Sequence, residues 1–269
     1  MPSTLADRLF SAVVRLVAAL TGLLLLTPTL VVLVVSFTGG SSLKFPPPSW
    51  SIRWYVELFA SAEIIDPALF SLKLALLATL VSTTLGTAAA LGIARSRGWP
   101  ARLLDALFMS PMVLPAMAFS LSLLVVLNAL GLRLSLGTLV VGHAIICVPY
   151  VIRMVGAAVQ QLDPALAKCS FGLGASHFYT LRRITLPLIS RGIIASGLVA
   201  FLSSFDNVPV SLFLADARTE VLPIKLWAIL EGSLDVRVAA VSGVVVVATL
   251  VGLIVVERIA GFGPGLRSR

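Results

Sequence analysis

This sequence has little charge, little cysteine and little histidine. Only 12% of its 269 residues are Asp, Glu, Lys or Arg, whereas a soluble domain carries about 25%. Cys147 falls in an apolar run and Cys169 in a polar connection, so we expect no disulfide between them. His143 and His177 are isolated, and we expect both to be structural. No spacing of His, Cys and carboxylates predicts a metal site or a cofactor.

The sequence also lacks the motifs of an ATPase or an intramembrane enzyme. No stretch has a glycine-rich phosphate loop ending in Gly-Lys-Ser or Gly-Lys-Thr. The chain therefore does not hydrolyse ATP by that route. An intramembrane enzyme would need a nucleophile–base pair or metal ligands, but the two histidines are far apart in the sequence and a His-Glu-x-x-His motif is missing. We interpret the chain as a non-catalytic protein.

Long apolar runs replace these features. Hydrophobic residues make up 58% of the chain, and about 20 consecutive apolar residues cross a bilayer. We predict an all-α polytopic membrane protein, a single transmembrane domain over residues 1–269. A cleaved signal peptide is the alternative for the first run, although its apolar core would be shorter. The six predicted spans cover about residues 16–38, 74–94, 106–132, 134–152, 192–215 and 238–256.

The net charge of +8 would suggest nucleic acid in a soluble protein, but here it indicates basic loops facing anionic lipid headgroups. Seven Lys and Arg residues fall on one side of the six spans: Lys44, Arg53, Lys73, Arg133, Arg218, Lys225 and Arg237. The other thirteen fall on the opposite side: Arg8, Arg15, Arg95, Arg97, Arg102, Arg153, Lys168, Arg182, Arg183, Arg191, Arg258, Arg267 and Arg269. The richer side is cytoplasmic by the positive-inside rule. This orientation places both termini in the cytoplasm.

Small residues and prolines predict the shape of two spans. Ser82, Gly86 and Ala90 recur every four residues, which predicts a seam for close helix packing. Pro111 and Pro115 interrupt the third span and should bend it. In the polar segment 39–67, the three prolines 46–48 exclude a helix, and we expect an interfacial loop with a short helix at 52–60. Contact with an external partner remains the alternative for this segment.

Asp206 is the carboxylate that lies clearly inside an apolar run. Burying such a group costs about 2.5–3.5 kcal/mol on insertion scales, and it usually faces a pathway or a polar partner. Together with Ser203 and Asn207 it forms a candidate substrate pathway that would attract a cationic amine. A structural role at the membrane interface remains the alternative.

The connection between the fourth and fifth spans, residues 161–189, is rich in helix boundaries, and we call it the central connection. Asp163 followed by Pro164 predicts a helix start. Gly172 and Gly174 predict its end, and Ser176 predicts the cap of a second short helix. We therefore expect a helix-turn-helix between two spans, on the predicted cytoplasmic side.

The central connection resembles the cytoplasmic loop of bacterial ABC importer permeases, whose motif reads Glu-Ala-Ala, three residues, Gly, nine residues, Ile, one residue, Leu-Pro. The matching positions are Lys168-Cys169-Ser170, Gly174, Ile184 and Leu186-Pro187. Lys168 replaces the usual Glu, and Cys169 and Ser170 replace the alanines. The resemblance implies contact with a separate ATP-hydrolysing subunit through Asp163, Pro164, Lys168, Cys169, Ser170, Gly174, Ala175 and Pro187. For Arg182 and Arg183, contact with partner acids and contact with headgroups both remain open.

Two further phrases look like importers for polyamines. One is the external Phe-Pro-Pro-Pro of residues 45–48, followed by Arg-Trp-Tyr at 53–55, and the other is Ser-Phe-Asp at 204–206. The resemblance implies an inner-membrane permease subunit for spermidine or putrescine. It would act with a cytoplasmic ATPase dimer, a second homologous permease and a periplasmic binding protein, in contact with membrane lipids. Permeases for 2-aminoethylphosphonate, thiamine or ferric iron have similar loop sequences and remain alternatives. An ion-coupled secondary transporter is the alternative from a different class.

Overall fold

The structure, a computed structural model, describes residues 5–96, 98–216, 219–232 and 235–260. Within these ranges the chain is helical with no β-strand, and the only strand-like pairing is an isolated bridge between Thr38 and Trp50. The predicted all-α class is confirmed. Four of the counted basic residues lie outside the described residues: Arg97, Arg218, Arg267 and Arg269. Both ends of the chain, residues 1–4 and 261–269, lie outside them as well.

The described helices, in chain order, have the following bounds. They are α1 (Leu5–Ser36), α2 (Arg53–Ala60), α3 (Ala62–Arg95), α4 (Trp99–Val113), α5 (Ala116–Ala129), α6 (Leu136–Gln160), α7 (Pro164–Gly172), α8 (His177–Thr180), α9 (Leu186–Phe205), α10 (Val208–Leu214), α11 (Leu222–Gly232) and α12 (Val236–Ala260). A five-residue π-helical turn, Leu181–Thr185, joins α8 to α9.

Five stretches are long and apolar enough to cross a membrane: Leu9–Ser36, Ala62–Arg95, Leu136–Gln160, His177–Phe205 and Val236–Ile259. The pair α4 and α5 passes the same test only when the two helices are taken together, and it is bent by 106°. If that pair counts as one broken span, the described residues hold six candidate spans. The first helix begins earlier than the predicted span, because the residues before Leu16 continue its helical pattern.

The chain divides into two compact units, each described by itself. One contains residues 1–62 and 228–247, and the other contains residues 63–227 and 248–269.

In the first unit, the segment after α1 folds back on the end of that helix. The Ser36 hydroxyl and the Tyr55 hydroxyl are 2.7 Å apart, and the Phe37 and Tyr55 rings pack at 5.1 Å. The three prolines exclude a helix before α2 as predicted, and α2 forms where the short helix was expected. At the start of α12, burial disfavours the Asp235 carboxylate, but hydrogen bonds and charge from Arg237 outweigh it and lower the pKa of Asp235.

In the second unit, α6 and α9 pack along one another. Their buried contact includes Cys147, Val151, Val155 and Ile189, and the Cys147 thiol lies 3.4 Å from the Ala200 carbonyl oxygen. Cys147 and Cys169 are both free, one buried and one exposed, as the sequence predicted. This pairing brings the N-terminal part of α9 alongside the end of α6.

The small-residue seam of α3 is confirmed. Ser82, Gly86 and Ala90 are all buried. A Cβ placed on Gly86 would lie 2.7 Å from the Cβ and Cγ1 of Val151 on α6. The two helices therefore approach at a distance that only a hydrogen at position 86 allows.

Pro115 divides the third predicted span. Helix α4 ends at Val113, and Pro115 occupies the residue before α5. Since Pro has no amide hydrogen and disfavours a helical conformation at the residue before it, the hydrogen-bond ladder stops here. Pro111, by contrast, stays inside α4. The predicted bend is therefore a full break.

The fifth predicted span, 192–215, contains two helices and not one. Helix α9 ends at Phe205 with Asp206 as its C-cap, and Asn207 starts α10 by accepting a hydrogen bond from the Val210 amide at 3.0 Å. Pro209 lacks the amide that would have continued the α9 ladder. We call Asp206–Asn207 the fifth-span break.

Candidate functional site

The first helix of the central connection begins and ends as the sequence predicted. The Asp163 carboxylate accepts a hydrogen bond from the Ala165 amide at 2.8 Å, and Pro164 is the first helical residue. At the other end Gly174 has φ of +82°. Its amide donates to the Phe171 carbonyl, and the following amide donates to the Ser170 carbonyl. This is the Schellman arrangement that glycine favours. Gly172 is the last residue of α7, and the left-handed turn that follows the helix is formed by Gly174.

A buried hydrogen bond fixes α7 against α8. The hydroxyl groups of Ser170 and Thr180 are 2.8 Å apart, and both residues are buried. The Ser176 hydroxyl caps α8 by accepting from the Tyr179 amide, and the rings of Phe171 and His177 pack at 4.6 Å. Ser170 was predicted as a contact residue, and its hydroxyl group forms a hydrogen bond that joins α7 to α8.

The second helix of the central connection does not end before the fifth span. After α8 the chain passes through the π-helical turn directly into α9, and the Leu186 amide donates to the Leu181 carbonyl five residues earlier. Pro187 explains the wider turn, because its ring would clash with the carbonyl four residues before it in a regular α-helix. The predicted separate second helix was wrong: His177–Phe205 is one continuous rod.

The central connection exposes an apolar surface. Leu173 is 89% exposed, and Leu166, Phe178 and Tyr179 are exposed as well. An open groove of about 640 Å³ runs over this surface, lined by Leu166, Cys169, Ser170, Leu173, Gly174, Ala175, Ser176, Tyr179 and Ile184. Exposed apolar surface of this kind usually marks contact with another protein or with a membrane.

The remaining predicted contact residues lie on or beside this surface. Side chains of Asp163, Pro164, Lys168, Cys169 and Pro187 are exposed. Ala175 is half-buried. No heavy atom lies within 4 Å of the position that a Gly174 Cβ would take. The structure thus brings these residues together on one connection and leaves the turn at Gly174 open.

The two helix breaks lie at one cavity. Its volume is about 140 Å³, and it is lined by Pro111, Met112, Leu114, Ala116, Phe119, Ile146, Tyr150, Ser203, Asn207 and Val210. Two of the three predicted pathway residues, Ser203 and Asn207, are in this lining. Asp206 is not, but it is the next residue along the chain. Its side chain is exposed and has no hydrogen bond or ion pair within the described part of the chain.

A buried histidine spans the fifth-span break. His143 on α6 is completely buried, its Nδ1 is 2.9 Å from the Ser204 hydroxyl and its Nε2 is 3.2 Å from the Ser211 hydroxyl. Ser204 precedes the break and Ser211 follows it. The adjacent Gly142 leaves room for α10, since a Cβ there would meet Leu214 at 2.6 Å. The structural role expected of His143 agrees with these contacts. The two serines, 61 and 68 residues away, carried no sequence signal for this partnership.

Solved structures define the class of fold. The chain matches a bacterial alginate ABC transporter, solved in complex with its alginate pentasaccharide-bound periplasmic protein, with TM-score 0.73, 17% identity and coverage of 94% of this chain and 95% of that chain. It matches the methionine ABC transporter MetNI, in an inward-facing conformation, with TM-score 0.63, 14% identity and coverage of 73% and 94%. The fold is that of a type I ABC importer permease.

The family follows from the sequence. Residues 82–262 match the family described as binding-protein-dependent transport system inner membrane component. The chain belongs to this family, which decides between the importer and the secondary transporter left open above.

Two curated relatives extend over most of the chain. The spermidine/putrescine transport system permease protein PotC of Escherichia coli (strain K12) is 29% identical over 233 residues, which cover 86% of this chain and 88% of PotC. The putrescine transport system permease protein PotI of the same strain is 27% identical over 248 residues, which cover 89% and 88%.

Proposed function

We propose that the chain is one permease subunit of an ATP-driven importer that carries a polyamine, spermidine or putrescine, across the inner membrane. The names of PotC and PotI support the substrate class. The matches cover 86% and 89% of this chain, which is enough for both to include the two helix breaks.

One observation of the molecule carries the choice of a cationic solute. The fifth-span break leaves the Asp206 carboxylate exposed and unpaired within the described residues, next to a cavity that Ser203 and Asn207 help to line. A carboxylate at an interrupted membrane helix favours cations and disfavours anions. Tyr150, in the same lining, offers an aromatic face of the kind that binds ammonium groups.

The central connection is the proposed contact with a cytoplasmic ATPase dimer. Its exposed apolar surface around Leu173 and its fixed α7–α8 geometry suit a rigid insertion into a partner. Lys168, exposed where the resembling family usually has Glu, would require a matching acidic or neutral position on that partner. ATP hydrolysis then belongs to the separate subunit, and this chain is not an enzyme.

The family supports our proposal for the rest of the assembly. A periplasmic binding protein delivers the polyamine, and a second homologous permease encloses the pathway together with this chain. We place both termini in the cytoplasm from the distribution of Lys and Arg. ATP binding favours one arrangement of the two permeases, and its hydrolysis returns the other, since a ligand shifts an equilibrium only by binding two states differently.

Uptake of labelled spermidine and putrescine tests the proposal. The chain is expressed with its neighbouring transport genes in cells that lack polyamine uptake, with and without ATP depletion. We expect accumulation that requires ATP. An assembled complex that takes up no polyamine would end the substrate assignment, and aminoethylphosphonate, thiamine and ferric iron would be measured next.

Asp206→Asn tests the role of the carboxylate. We expect the polyamine concentration for half-maximal uptake to rise by about tenfold, which corresponds to the loss of about 1.4 kcal/mol of binding. Asp66→Asn is the matched control, because Asp66 is also exposed but lies at the start of α3 and outside the cavity lining. Normal affinity in an Asp206→Asn complex at normal expression would show that this carboxylate does not contact substrate.

A further inference from the structure

Helix α2 has an exposed apolar face. Ile52, Val56 and Phe59, spaced by four and three residues, are 65%, 63% and 65% exposed. With about 100° of rotation per residue, this spacing places them on one side of the helix. Other parts of the helix circumference are covered, since Leu58 is 3% exposed and Trp54 and Tyr55 are half-buried. Packing within the chain therefore uses one face of α2 and leaves the other uncovered.

The third side of α2 is polar. Arg53 and Glu57 lie one turn apart and form an ion pair at 3.3 Å, and the Arg53 guanidinium lies 4.3 Å from the centre of the Trp54 ring. The helix thus has an inward face, an exposed apolar face and a charged edge. Two more large apolar side chains, Phe45 and Trp50, are exposed in the segment that precedes it.

In the first unit, hydrogen bonds attach α2 and the segment before it to the C-terminal end of α1. Helix α1 ends at Ser36. None of the residues in its most apolar stretch is buried within the chain. The Ser36–Tyr55 hydrogen bond joins that end to α2 directly. The Trp54 indole donates to the Gly40 carbonyl at 3.0 Å, and the Ser51 amide donates to the Phe37 carbonyl at 2.8 Å. These bonds hold α2 at the point where the first membrane span ends.

We propose that α2 lies in the lipid interface at this end of α1, with Ile52, Val56, Phe59 and the neighbouring Trp50 inserted between phospholipid headgroups and acyl chains. Trp favours this depth, and an interfacial helix buries its apolar face by about 5–10 Å while its charged edge meets headgroups. The exposed apolar side chains of α1 extend to Leu30, so lipid around that helix would reach close to the level of α2. The inference depends on membrane insertion and not on the substrate.

Spin-label accessibility in the assembled complex tests the proposal. Single cysteines replace Val56, Phe59 or Glu57 in a Cys169→Ala background, where Cys147 is buried. The complex is placed in nanodiscs of phosphatidylethanolamine and phosphatidylglycerol. Power saturation then compares collision with oxygen, which concentrates in lipid, and with a water-soluble nickel chelate. We expect the oxygen-to-nickel ratio at positions 56 and 59 to exceed that at position 57 severalfold.

Two results would overturn the proposal. Nickel collision at 56 and 59 equal to that at 57 would place the face in water. Exclusion of both reagents at 56 and 59 would place it against a protein subunit. Trp50 provides an independent measurement that needs no label. The fluorescence of Trp50 is obtained by subtracting the emission of Trp50→Phe from that of the unmodified chain, and lipids with brominated acyl chains should quench it. Unquenched Trp50 fluorescence would contradict insertion.

Discussion

At the residue scale, His143 makes two hydrogen bonds across an interrupted helix. Replacing it by Ala leaves the Ser204 and Ser211 hydroxyls without their partner and opens a cavity in the α6–α10 contact. We expect a loss of about 2–4 kcal/mol in the free energy of unfolding, measured by SDS titration of the detergent-solubilised protein. His177→Ala is the control, because His177 is exposed. Equal losses for the two histidines would contradict a special role for His143.

Gly174 provides a second residue-scale prediction. Its φ of +82° costs a non-glycine residue about 1–2 kcal/mol, although no neighbour would obstruct a Cβ. Gly174→Ala should therefore distort the end of α7 and reduce substrate transported per ATP hydrolysed in proteoliposomes.

Gly172→Ala is matched to this change, since Gly172 is helical and equally open. We expect its coupling to remain normal. Loss of coupling in both variants would mean that the exposed surface, and not the turn conformation, is sensitive to a methyl group.

Local chemistry predicted some residue roles and missed others. The helix caps at Asp163 and Ser176 and the left-handed turn at Gly174 were predicted correctly, because each depends on only a few neighbouring residues. The hydrogen bonds of His143 to two serines could not be predicted, because they depend on which faces of α6, α9 and α10 are in contact. The roles of Asp206 and of the exposed central-connection residues stay predictions.

At the element scale, the α3–α6 contact depends on Gly86. Gly86→Ala places a methyl group 2.7 Å from Val151, so the helices must separate, and we expect a destabilisation of about 1–3 kcal/mol. Gly92→Ala on the same helix meets nothing within 4 Å and should be neutral or slightly stabilising. Thermal unfolding in detergent measures both.

A second substitution makes this prediction specific. Val151→Ala removes the atoms that the new methyl group meets, so Gly86→Ala combined with Val151→Ala should lose less stability than the two single changes added together. Simple additivity would show that the two positions do not meet.

The breaks in the elements were only partly predictable. Prolines 111 and 115 predicted a bend, yet only tertiary packing decides that the chain breaks at one and continues through the other. Pro209 and Asn207 together contained a stop signal, but the apolar run around them favoured one long span. Pro187 predicted a helix boundary, whereas a widened turn lets the helix continue.

At the scale of the whole molecule, the exposed Leu173 surface predicts how the chain assembles. We expect Leu173→Asp to reduce co-purification with the ATPase at least severalfold, because a charge replaces an apolar contact in the interface core. Leu132→Asp makes the same change at an exposed leucine in the loop after α5 and should leave co-purification normal. Full recovery of ATPase with Leu173→Asp would move the docking surface elsewhere.

The uninterrupted rod from His177 to Phe205 has a mechanical consequence. At 1.5 Å per residue, its 29 residues reach about 43 Å. A tilt of about 10° imposed at the α8 end would sweep the opposite end through about 7 Å if the helix stays stiff. Asp206 is attached at that far end. Such a tilt would be carried by the backbone of one helix, which includes the π-helical turn Leu181–Thr185.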